Sequence, residues 1–172
     1  MNEIRAFYTD EYVRVYQAYN HTIGDQAVRE KCFNPPFKTS RMTWIKPSFC
    51  WMAYRSGYSF KDVNQECILA IDIKRKAFDA ILQQAVSAKD SKGLANVILQ
   101  WDPERNVSLE PLFYRSIQIG IRGSVLEMYA KGDIIVNITN VTPLFQQVHV
   151  LVQSGSVLEA VELLPQERVY PF

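Results

Sequence analysis

ECILAIDIKRKAFDAILQQAV, residues 66–86, decides the architecture. Its first part, ECILAIDI, is a near-continuous apolar run of strand length, which reads as a strand in the middle of a sheet. The period then changes. Phe78, Ile81, Leu82, Ala85 and Val86 fall at the i, i+3, i+4, i+7, i+8 spacing of an amphipathic helix. A central strand running into a helix sets the class as mixed α/β, and the flanking sequence extends the pattern in both directions.

Upstream, VRVYQAY (13–19) alternates as a half-buried strand, and Thr22 is placed to cap a helix over IGDQAVREKC before the NPPF turn. MTWI (42–45) reads as a short strand. Pro47 suits the first position of a helix running to Ser56, with Gly57 ending it. Downstream, ANVILQW (95–101) reads as a strand broken by Asp102-Pro103, and LFYRSIQIGI (112–121) as another closed by glycines. Ser124 with Glu127 forms a capping box for a helix ending near Gly132. DIIVNIT is a further strand, and Thr142-Pro143 starts a helix through Gln153. Ser156 with Glu159 opens a last helix that Pro165 ends. The expectation is one α/β (α+β) domain over 1–172 with five or six strands, and no glycine fingerprint for a doubly wound dinucleotide fold.

Composition narrows the function classes. A chain of 172 residues, 48% apolar and 22% charged, can bury its own core. The net charge of +1 means that any basic surface must be local. No apolar run is long enough to span a bilayer, and the acidic N-terminus MNEIRAFYTDEY lacks a signal-peptide core, so no membrane partner is expected. Cys32, Cys50 and Cys67 show no CxxC spacing, which reads as reduced thiols in a cytoplasm. Two histidines, His21 and His149, exclude a histidine-rich metal centre, and no metal is expected.

The functional signal lies in RMTWIKPSFCWMAYRSGY (41–58), which crowds aromatics and cations together. A strand ending at Ile45 and a helix beginning at Pro47 put Lys46 at the junction, where unpaired backbone N–H groups favour anions. Ser48 supplies a hydroxyl in the same turn, Lys38 and Arg41 lie just upstream, and Arg55 two turns along. Such an arrangement can hold a phosphate-bearing ligand, with Trp44 as a flat face for a base or nicotinamide ring. The competing reading makes the tryptophans core and the cations solvated ends.

Two other segments carry weaker signals. In YRSIQIG (114–120) strand alternation puts Tyr114, Ser116 and Gln118 on one face, either lining a cleft or wet on an edge strand. In the first strand Arg14 and Tyr16 point the same way, as an anion clamp or as a cation stacked on an aromatic. Glu110 and Asp72 are the carboxylates available as base or ribose partner, Asp72 more simply as a turn or cap partner. GIRGS (120–124) is a turn before it is a phosphate loop.

RMTWIKPSFCWMAYRSG, VYQAY (15–19), ILAIDIKRKAF (68–78), QWDPER (100–105) and YRSIQIG together resemble a bacterial and fungal family known as domain of unknown function 4291, over about Glu3 to Phe172. That resemblance implies kinship and no particular reaction. The order of parts is also similar to that of small ADP-ribosyltransferases. This second likeness implies a split sheet and NAD as cofactor. Arg14 or Gln17 would hold the adenylate side, Thr43, Trp44 and Ser48 would frame the nicotinamide ribose, and Arg41, Lys46 and Arg55 would hold the pyrophosphate. Gln118 or Glu110 would sit where that family has its catalytic glutamate. The sequence departs from the likeness in having no His-Tyr-Glu or Arg-Ser-Glu triad, and a glutamine offers no full charge to an oxocarbenium ion. By the second likeness the expected function is NAD-dependent ADP-ribosyl transfer, with nucleic acid as an acceptor. The alternative is a non-catalytic module binding a nucleotide or nucleic acid.

Overall fold

The computed structural model describes residues 2–91 and 93–172. Its elements follow in the order β1 (Arg5–Ala6), β2 (Tyr12–Tyr19), α1 (His21–Glu30), β3 (Thr43–Ile45), α2 (Phe49–Ser56), β4 (Cys67–Lys74), α3 (Arg75–Gln83), β5 (Val86–Ser87) and β6 (Val97–Arg105). The chain continues through β7 (Pro111–Ile121), α4 (Gly123–Ala130), β8 (Ile135–Asn140), α5 (Thr142–Gln153), α6 (Val157–Glu162) and β9 (Arg168–Val169). The mixed α/β class is as expected. Among the described residues the strands number nine rather than five or six, because three two-residue strands give no sequence period.

They form three sheets, ordered β2-β4-β8, β3-β7-β6-β5 and β1-β9. β4 is central, as its apolar run predicts, and seven of its eight residues are buried. Its side chains alternate between two cores. Leu69, Ile71 and Ile73 join Val13 and Val15 in one, together with Ile117, Ile119 and Ile121 of β7. Ile68 and Ala70 join Tyr16 in the other, against Phe49, Met52 and Phe145. In the second core Phe49 and Phe145 stack with centroids 3.8 Å apart, which fastens α2 to α5.

One backbone bridge couples the two larger sheets. Tyr16 N–H donates to Lys46 O at 2.7 Å, and Lys46 N–H donates back to Tyr16 O at 3.3 Å. Ile45 still pairs with Ile119 of β7, so the chain changes partner within one residue, at Lys46.

Several boundaries differ from the sequence reading. Asn20, rather than Thr22, caps α1, its side chain accepting from Ile23 N–H. Pro47 lies outside α2, and Ser48 is the cap, because its hydroxyl accepts from Trp51 N–H at 3.0 Å. Lys46 is thus not at the helix N-terminus. β6 runs through Asp102-Pro103, since its parallel neighbour β5 pairs only with Ile98 and Leu99, so a missing N–H at Pro103 interrupts nothing on that side. Neither capping box places a side-chain cap on α4 or α6. Gly57 ends α2 with φ of 56°, as expected of a left-handed C-cap.

Candidate functional site

A cavity of about 650 Å³ opens where β2, β3, the Met52–Arg55 side of α2 and the segment 36–42 meet. Its wall contains Lys38, Arg41, Lys46 and Arg55, together with Gln17, Thr43 and Trp44, and, among the described residues, not one Asp or Glu. The cations of the quoted 41–58 segment therefore converge. Among the described residues Lys38, Arg41 and Arg55 form no ion pair and no side-chain hydrogen bond, and all three are exposed.

Lys46 is different. It is only 7% exposed, its Nζ donates to Trp44 O at 3.0 Å, and it lies 5.4 Å from the Trp51 ring centroid. Burial, then the neighbouring Arg55 charge, push its pKa down from 10.5 to about 7, while Asp102 acts weakly the other way. The amine is held beside other cations with no carboxylate in ion-pairing reach among the described residues. An arriving anion would supply the missing partner.

The floor of the cavity is a neutral hydrogen-bonded network. Gln17 Nε2 donates to Thr43 Oγ1 at 2.8 Å and to Trp44 O at 3.1 Å, and its Oε1 accepts from Tyr129 O–H at 2.5 Å. Tyr19 O–H and Thr43 Oγ1 lie 3.2 Å apart. These bonds fix the backbone of β3 and hold Trp44 at the opening, half-buried. Trp44 lies over Gly120. A Cβ at that glycine would come 3.0 Å from the indole and 2.5 Å from Met42 Sδ, so only glycine admits the ring.

The sequence passed over two lining residues, Asn64 and Gln65, on a 3-10 turn capped by Asp62. Gln65 carries a buried amide oxygen without a hydrogen-bond partner among the described residues. The signal was local: Asp62 two residues before an Asn-Gln pair is an Asx-type turn that presents both amides.

Other expected site residues lie elsewhere. Arg14 makes a bidentate pair with Asp72 at 2.7 and 2.9 Å, across the β2-β4 register, and stacks over Phe7 at 5.0 Å. It is a cation satisfied by the fold, and Asp72 is its partner rather than a cap. Ser48 is fully buried, capping α2 and donating to Glu104 Oε1 at 2.8 Å, so its hydroxyl does not reach the cavity. Glu110 is exposed in the turn between β6 and β7, accepting from Asn106 Nδ2 at 2.9 Å, and is not in the cavity wall. Gln118 is buried in the interior strand β7, and its amide donates to Asp102 across the ladder. It borders Lys46's surroundings through Asp102 but does not line the cavity. The Ser116–Gln118 face is therefore neither a wet edge nor an open cleft; it is a buried polar seam.

A second group of titratable side chains lies on the far side of Pro47. Glu104 accepts from Ser48 O–H and from Arg105 N–H, both at 2.8 Å. Glu167 accepts from Phe49 N–H at 2.7 Å. Desolvation outweighs these bonds and, with the Glu104 charge nearby, raises Glu167 from 4.5 to about 8. This pair was not read from sequence, since Glu167 arrives from the C-terminal segment.

No helix among the described residues is long and apolar enough to cross a membrane. A comparison with curated proteins finds no match. A family model, "Domain of unknown function (DUF4291)", matches residues 3–170, nearly the whole chain, including every residue of the cavity wall. The chain belongs to this DUF4291 family.

Proposed function

We propose that the protein is a nucleotide-binding module whose phosphate seat is the cation-lined cavity. One observation carries the reading: four cationic side chains share a wall with no carboxylate, and three of them have no partner of their own among the described residues. Exposed cations scattered over a surface are simply solvated, whereas a set converging on one wall beside a buried amine favours an anion. A volume of about 650 Å³ suits a nucleotide-sized ligand. Trp44 offers a face for the base, and the Gln65 amide oxygen an acceptor for a base or ribose donor.

Binding, rather than ADP-ribosyl transfer, is the reading that the geometry supports better. Transfer from NAD would require a group beside the bound sugar to stabilise its positive charge. Neither Gln118 nor Glu110 is in the wall.

Calorimetric titration with AMP, ADP, ATP, NAD and a short oligonucleotide tests the proposal. Affinity should rise with phosphate count and fall with salt, and an R41A/R55A variant should bind at least about 100-fold more weakly, since each charge-assisted hydrogen bond contributes about 1.5–3 kcal/mol. No binding by any of these ligands, or binding indifferent to the double variant, would overturn it. Product formation from NAD would restore the transferase reading.

A further inference from the structure

A second group of side chains lies outside this cavity. His21 and Asp25 stand one turn apart on α1, and Cys67 opens β4 beneath that helix. We propose that His21, Asp25 and Cys67 form a site for a single divalent cation of the zinc class.

One donor pair already has the spacing of a bound ion, and the third donor stands nearby. His21 Nδ1 lies 3.5 Å from Asp25 Oδ2, Cys67 Sγ lies 4.0 Å from Asp25 Oδ1, and one ligand atom of each residue falls within 4.8 Å of the others. Zinc bonds of roughly 2.0–2.3 Å at tetrahedral angles require donor pairs about 3.3–3.6 Å apart. The remaining closure is a side-chain rotation, and His21 and Asp25 are both more than half exposed and free to make it. The donors are also chemically matched, because imidazole, thiolate and carboxylate together suit a borderline-soft ion better than calcium or magnesium.

The fold makes room for the sulfur. A Cβ on Gly24 would come 2.4 Å from Cys67 Sγ, so α1 lies this low over β4 only with glycine there. That close approach brings the thiol to 4.0 Å from the Asp25 carboxylate. His21 also lines a second cavity, of about 350 Å³, shared with Glu66, Asn140 and Thr142. An ion held by three protein ligands would keep a fourth position for water or a small anionic ligand. Binding exchanges the Cys67 S–H proton for the metal, releasing it to solvent.

Cobalt(II) titration of the full chain reads the site directly. One equivalent should produce a near-ultraviolet thiolate-to-cobalt band, and zinc should displace it. A C32S/C50S variant should keep the band and C67S should lose it. H21A/D25A changes only exposed side chains, so it should stay folded by circular dichroism while affinity falls at least about tenfold. Absence of the band in the wild-type chain, its survival in C67S, or undiminished affinity in H21A/D25A would each overturn the proposal. Should C67S fail to fold, the H21A/D25A result decides.

Discussion

Lys46 and Ser48 stand two residues apart, yet they serve opposite ends. On one side of Pro47 a buried amine faces a cavity with one carbonyl acceptor and other cations for company. On the other, the Ser48 hydroxyl ties Glu104 to the start of α2, and Glu167 accepts from the next N–H along. The carboxylate side has donors supplied by the fold; the cation side has few acceptors. Burial pushes Lys46 and Glu167 alike toward their neutral forms; what separates them is the opening, because the amine lines a cavity, which marks where a ligand belongs, and the carboxyl groups do not.

Separate substitutions break this comparison. R41A/R55A should reduce nucleotide affinity at least about 100-fold while stability changes by no more than about 0.5 kcal/mol, as expected of exposed side chains. E104A should do the reverse. It strands the Ser48 hydroxyl and Arg105 N–H, so urea denaturation should show a loss of about 3 kcal/mol with the cavity's affinity kept per folded molecule.

The two sides also have opposite pH signatures. The folded-state pKa of Lys46 is depressed, so between about 7 and 10.5 the unfolded chain binds more protons, and this group makes stability rise with pH across that window. Glu167 is raised, so between 4.5 and about 8 the folded chain binds more protons, and stability falls as pH rises. K46M should remove the alkaline rise and E167Q the neutral fall, each leaving the other intact, in denaturation curves measured from pH 4.5 to 10.5. A bound phosphate should also return the proton to Lys46. Near pH 8, nucleotide binding should take up protons, visible as a dependence of calorimetric heat on buffer ionisation enthalpy, and K46M should abolish it.

The smallest expected effect belongs to Trp44. W44A should weaken base-bearing ligands by about 1–3 kcal/mol and leave inorganic pyrophosphate nearly unaffected. Equal losses for both would reduce Trp44 to a wall residue.

How much of this was legible in sequence follows from what fixes each feature. β4 and α3 were readable because period and burial are local. Arg41, Lys46 and Arg55 could be grouped because they lie within fifteen residues of chain. The helix start was misplaced because Pro47 and Ser48 are both good terminal residues, and the hydroxyl's bond to Trp51 N–H decides between them. Gln118 could not be placed, since that depends on Lys46 leaving β7 to bond Tyr16 one residue after Ile45 pairs with Ile119. Arg14 needed the β2-β4 register to reveal Asp72 opposite it. The His21, Asp25 and Cys67 group was missed because only the packing of α1 over β4 joins its parts, and no spacing in the chain announces it.

The most direct test is a crystal structure of the chain soaked with the tightest-binding nucleotide. The account predicts phosphate oxygens within hydrogen-bond distance of Lys46 Nζ and of the Arg41 or Arg55 guanidinium, with the base against Trp44. A nucleotide seated elsewhere on the molecule, with this cavity free of ligand at saturating concentration, would contradict it.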